Sequence, residues 1–300
     1  MLTHELRLQK YQVIKELHDQ HNFPVSLLCQ YAVICRSAYY KWLNRKPNPA
    51  VLLSAKILDE VCKLYADVKG IYGYRRITME INKKLDTHYN YKRIYRLMKM
   101  AGLKAVIRKK RKTYLPSKPQ VIAENILNRE FKADLPNQKW LTDVTEFKLK
   151  NDKKAYLSAI LDLGDRRIVA YELGNSNNNQ LVFDTFEKAV NFNSEAHPLV
   201  HSDRGIQYTN KEFKNRLDRF QAVQSMSRVG RCIDNGPMEG FWGIIKSEMP
   251  HLYAFNDFAE LKLAIKKYVN FYNTKRLQIR LNGLTPHEYH DFLVKQNRAA

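Results

Sequence analysis

The sequence predicts an α/β protein: a mixed sheet with flanking helices, preceded by small, basic, all-α, helix-turn-helix-like modules. Three observations predict it. Basic charge is concentrated in the front of the chain, apolar spacing is helical up to about residue 100, and after Gln138 strand-like runs begin to alternate with helices.

Lys and Arg number 51 against 30 Asp and Glu, a net charge of +21. Residues 1–120 hold 25 of the basic and 8 of the acidic residues, so the excess lies mostly in the first part. Such a field attracts polyanions, and nucleic acid is the natural partner. At 300 residues and 44% apolar the chain can build two or three cores. No run approaches the roughly 20 apolar residues of a spanning helix, and the start MLTHELRLQKYQ lacks a signal-peptide core, so an intracellular protein is expected. Cys29, Cys35, Cys62 and Cys232 form no C-x-x-C pair, and His18, His21, Cys29 and Cys35 lack the long His-to-Cys interval and close Cys pair of a His-Cys zinc site.

Residues 1–46 read as an N-terminal helical region, because SLLCQYAVICRSAYYKWL has the spacing of two short helices joined near residues 33–36. NRKPNP then breaks the pattern. Residues 50–107 form a basic module of three helices, marked by Ile57, Val61 and Leu64, by Ile77, Ile81 and Leu85, and by Ile94, Leu97 and Met98. In the third, Lys92, Arg93, Arg96 and Lys99 lie off the apolar stripe, where a helix tracking phosphates needs them. Residues 108–135 are a basic, proline-containing linker that opens with Arg108, Lys109, Lys110, Arg111 and Lys112.

Residues 136–300 carry the strands WLTDVTEF, AYLSAILDL and RRIVAYEL, the last two a hairpin through Gly164-Asp165. The helix LVFDTFEKAVNF, the strand PLVHSD, the helix NKEFKNRLDRF, the strand AVQSMS and a helix from Pro237 follow.

Three acids stand out. Asp143 sits inside an apolar, Thr-rich strand, where a carboxylate is costly unless a cation compensates it. Asp203 closes PLVHSD at a strand end, where α/β sheets place functional groups. Glu239 lies in the first turn of the helix from Pro237, whose apolar face gathers Met238, Phe241, Trp242, Ile245 and Met249, while Glu239, Gly243 and Lys246 share another face. Singly, each acid also fits a surface charge, a turn cap or a dipole contact.

Together, KWLTDVTEF, HSDRGIQYT and, after 35 intervening residues, the Glu239 of DNGPMEGFWGIIKSE resemble the integrase-core transposases of bacterial insertion sequences, relatives of retroviral integrases. YGYRRI, with Arg75 and Arg76, and YKRIYRLMKMAGL look like the helical module before their core. YNTKRLQIRLNGLTPHEY is similar to their C-terminal signature, except that Leu277-Gln278 stands where many relatives have Pro-His.

The resemblance implies a ribonuclease H-like core, with Asp143, Asp203 and Glu239 as catalytic metal ligands for two Mg²⁺ ions, Mn²⁺ being a substitute. The expected activity is cleavage and strand transfer of element ends. Expected partners are double-stranded DNA, further copies of the chain and a separate or fused upstream DNA-binding polypeptide, in a cytoplasmic, nucleoid-associated setting. In this reading Asp143 bridges the two ions, and Lys246, Arg75, Arg76, Lys92, Arg93, Arg96, Lys99 and the basic run contact DNA. Two other readings remain: a structure-specific nuclease that cuts without joining, with Asp162 as an extra ligand, and a DNA-binding protein without catalysis.

Overall fold

The computed structural model describes residues 4–44, 48–107, 123–150, 153–228 and 232–299. The basic run Arg108 to Lys112 lies outside the described residues. The chain divides into two compact units, Met1–Asp59 and Glu60–Ala300. Among the described residues no helix is long and apolar enough to cross a membrane.

In the first unit, α1 (His4–His21), α2 (Val25–Tyr31) and α3 (Arg36–Leu43) enclose Tyr11, Ile14, Val25, Cys29 and Tyr39. Val33, at φ 55°, turns the chain between α2 and α3. The helix α4 (Pro49–Asp67) follows.

The second unit continues with α5 (Tyr74–Leu85) and α6 (Tyr91–Met100), packed through Ile77, Ile81, Ile94, Leu97 and Met98. The Asn90 side chain caps α6 by accepting the Lys92 N–H.

The sheet has five strands in the order β3-β2-β1-β4-β5: β1 (Lys139–Lys148), β2 (Lys154–Asp162), β3 (Ile168–Gly174), β4 (Leu199–Ser202) and β5 (Val223–Met226). The first three form an antiparallel meander, and β4 and β5 add in parallel. This is the ribonuclease H-like arrangement. Alternation along the strands separates two cores. Leu141, Leu157, Ala159 and Leu161 face α9 (Gly236–Leu252) and α10 (Phe258–Thr274). Trp140, Ile160, Ala170, Val200 and Met226 face α7 (Asn179–Phe192) and α8 (Lys211–Arg219). The chain closes with α11 (Pro286–Ala299).

The turn from β2 to β3 needs glycine at 164. A Cβ there would stand 2.5 Å from the Leu135 carbonyl oxygen, backbone that cannot move aside cheaply.

Candidate active site

Strand pairing brings together the segments that lead to two of the acids. The parallel register of β1 with β4 runs Lys139 to Leu199, Trp140 to Val200 and Leu141 to His201. Asp143 lies two residues beyond the last of these pairs along β1, and Asp203 two residues beyond its partner, where its charge acts on Asp143. Asp203 is the residue after the last of β4, so its carboxyl leaves the sheet where Asp143 is still inside it.

The third acid arrives on α9. The apolar stripe of this helix is buried as its spacing predicts, with Met238 and Ile245 at 0% exposure. One stripe residue also reaches the site: Trp242 Nε1 donates a 2.9 Å hydrogen bond to Asp143 Oδ2. Glu239 lies one turn earlier on the same helix, exposed, and its charge acts on Asp143. Asp143 Oδ1 accepts the Val144 N–H at 2.8 Å, and Asp203 Oδ1 accepts the Gly205 N–H at 2.8 Å.

The electrostatics record the crowding. Burial pushes the Asp143 carboxyl up to about 7; Asp203 pushes the same way, the bonds from Trp242 and Val144 oppose, and Glu239 adds a further upward push. Partial desolvation raises Asp203 and Glu239 as well. Among the described residues no three His, Cys, Asp or Glu side chains are drawn together closely enough to enclose an ion. Asp203 and Glu239 nevertheless both act on Asp143, all three supply only hard oxygen donors, and Asp143 keeps lone pairs beyond its two hydrogen bonds, a donor set that fits Mg²⁺ or Mn²⁺.

Asp162 does not join them. It sits opposite Trp140, fully buried, accepting the Asn137 and Gly164 N–H groups at 2.5 and 2.6 Å, and so serves the β2–β3 turn. The nuclease reading that used it as a ligand loses that support.

Lys246 is exposed on α9, its ammonium 5.6 Å from the centre of the Phe147 ring. Lys92, Arg96 and Lys99 are exposed along α6, and Arg93 is half-buried over the Tyr89 ring. Arg75 is exposed between the rings of Tyr74 and Tyr91. Arg76 departs from its expectation. It turns inward over Tyr72 and stands 3.5 Å from Glu248, which also takes a two-point contact from Arg276 and the Tyr268 hydroxyl proton.

Sequence reasoning missed Asp234. It looks like a cap before α9, yet its carboxylate is fully buried and accepts from Asn125, Arg129 and Arg228. The Arg228 guanidinium holds it far below the usual carboxylate range.

The chain matches the family models of the integrase core domain over residues 133–232 and, through a second such model, 239–292, and of the HTH-like domain over residues 53–111. It is 37% identical over 278 residues to the InsK protein for insertion sequence element IS150 of Escherichia coli (strain K12), covering 92% of this chain and 97% of that one. It is 32% identical over 257 residues to the transposase for insertion sequence element IS904 of Lactococcus lactis subsp. lactis (strain IL1403), covering 83% and 99%. Among solved structures, the HTLV-2 integrase catalytic core domain in complex with magnesium is similar at 21% identity and a TM-score of 0.44, covering 52% of this chain and 97% of that one.

Fold and integrase-core matches together define a polynucleotidyl transferase. The chain belongs to the integrase-core transposases of insertion sequences.

Proposed function

We propose that Asp143, Asp203 and Glu239 form the centre at which this chain cleaves the ends of its element and joins them to target DNA. What supports this reading is the β1–β4 pairing, which ends two residues short of Asp143 and Asp203, together with the Trp242 bond that ties the Glu239 helix to Asp143.

The three carboxylates would hold two Mg²⁺ ions, which activate the attacking oxygen and stabilise the leaving one in phosphodiester exchange. Asp143 would be held by its strand, Asp203 by the residues just after β4 and Glu239 by α9, each offering a carboxylate to the ions. The site uses water or a DNA 3′-hydroxyl as nucleophile, so no covalent link to the protein is required. Double-stranded DNA is the partner, and two ends brought together call for more than one copy of the chain.

A groove of about 740 Å³ runs between α5 and α9 and gives the DNA a path. Arg75 and Arg280 are exposed along it, while Gly240, Gly243 and Ser247 leave its α9 wall low beside Glu239. Glu248 is the sole acid among the described residues lining it, and its charge is already met by Arg276. Basic walls with no uncompensated acid suit a phosphate backbone.

The test is Asp143→Asn, Asp203→Asn and Glu239→Gln, one at a time, on DNA carrying the element ends with Mg²⁺. Loss of both cleavage and joining with DNA binding retained is expected. Full activity in any one removes that residue from the centre.

A further inference from the structure

Asp234 occupies the short 3-10 turn Cys232–Asn235 immediately before α9, and its carboxylate is sealed from solvent. Five donors converge on it. Oδ2 accepts from the Arg228 N–H at 3.0 Å, from Arg228 Nε at 2.9 Å and from Asn125 Nδ2 at 3.0 Å. Oδ1 accepts from Arg129 Nε at 2.6 Å and Arg228 Nη2 at 3.0 Å. Such a satisfied, charge-assisted cluster fixes the backbone that bears it.

What it fixes is informative, because the surrounding bonds lead to each acid in turn. Next to Arg228, Ser227 donates its N–H to the Ser202 carbonyl and accepts Arg204 Nε on its own carbonyl, so the residues on both sides of Asp203 are pinned to it. Next to Asp234, Asn235 Nδ2 donates to the Thr142 carbonyl at 3.3 Å, one residue before Asp143. Beyond Asn235, α9 begins, and Glu239 lies in its first turn. His201, two residues before Asp203, is buried on the Ser225 and Ser227 hydroxyls and feels the Asp234 charge.

We infer that Asp234 is a positioning residue: clamped by Arg228, Arg129 and Asn125, it locks the start of the Glu239 helix against the strands that carry Asp143 and Asp203. The inference rests on the proposed acid triad. Asp234 touches neither substrate nor ion, and acts by where it holds Glu239. Its partners lie at 125, 129 and 228, so the clamp also ties the segment leading into β1 to the helix that completes the site.

The experiment is a Mn²⁺ titration of the full chain by electron paramagnetic resonance, with circular dichroism as the control for folding. Four proteins are compared with the parent: Asp234→Ala, Arg228→Ala, Glu239→Gln and Asp234→Ala with Glu239→Gln. Residues that orient metal ligands typically contribute roughly 10- to 100-fold in affinity, and a loss of that order is expected for Asp234→Ala.

Arg228→Ala removes two of the five donors, Nε and Nη2, from a half-exposed residue while its backbone N–H stays, and should weaken Mn²⁺ binding in the same direction even if Asp234→Ala does not fold. In the Glu239→Gln background Asp234→Ala should change the affinity less than about twofold, because the residue it positions is already disabled. Unchanged Mn²⁺ affinity in folded Asp234→Ala or Arg228→Ala overturns the inference, as does an equal loss with and without Glu239. Unchanged affinity in Glu239→Gln alone instead removes the triad reading, and the inference falls with it.

Discussion

Trp242 Nε1 and Asp143 Oδ2 are joined by a 2.9 Å hydrogen bond, so a residue of the apolar stripe of α9 also tunes the acid at the middle of β1. The bond favours the charged carboxylate and opposes the upward push of burial. Trp242→Phe should raise Asp143 further, lowering Mg²⁺-dependent cleavage more at about pH 6 than at about pH 8, and should cost about 2 kcal/mol of stability. A pH profile with an unmoved acid limb would count against the assignment.

Proton and metal should compete at the same carboxyl. Asp143 is pushed up to about 7 in the fold against about 3.9 in an unfolded chain, so its contribution to stability is full below about pH 4 and is lost as pH rises through about 7. A bound divalent ion reverses this penalty. The rise in Tm caused by Mg²⁺ should therefore be larger at about pH 8 than at about pH 6, which differential scanning measures directly. Equal rises at both would show that Asp143 does not bind the ion.

Glu248 should be among the most costly charges to remove. It is 1% exposed and its partner Arg276 is 5% exposed, so Glu248→Ala leaves a buried guanidinium unpaired, at about 3–5 kcal/mol. Arg76→Ala should cost less, since that side chain is 23% exposed and 3.5 Å away. Denaturant titrations that reverse this order would refute the account of Arg76 as the outer member of the cluster.

DNA affinity should fall steeply with salt, and Arg75→Ala and Arg280→Ala should each reduce the slope of log K against log salt by about 0.9, one phosphate contact apiece. Slopes identical to the parent would mean that the strand takes another path than the groove between α5 and α9.

Much of this arrangement is legible in the chain. Asp143 betrays itself as a charge inside an apolar strand, Asp203 by closing another, and Glu239 by standing off the apolar face of its helix. Periodicity also places α4 to α6 and the strands, because one face of each is buried. What is not legible depends on partners distant in sequence. Arg76 reads as one more cation on a basic helix until Glu248, 172 residues later, turns it inward. Asp234 reads as a cap because nothing local announces Arg129 or Asn125, more than 100 residues earlier. Trp242 reads as core, and is core; its indole N–H has a second use that spacing cannot show.

The parallel pairing of β1 with β4 has a bearing on when the chain becomes dangerous to DNA. Leu141 and His201 are partners across 60 residues, and the bond from Trp242 to Asp143 spans 99. Contacts of such range close late, after the local meander of β1 to β3 can form. A chain still emerging from the ribosome can thus hold its first strands in place while lacking two of the three acids. With the proposed triad, it would gain the ability to cut only once α9 has been synthesised and docked.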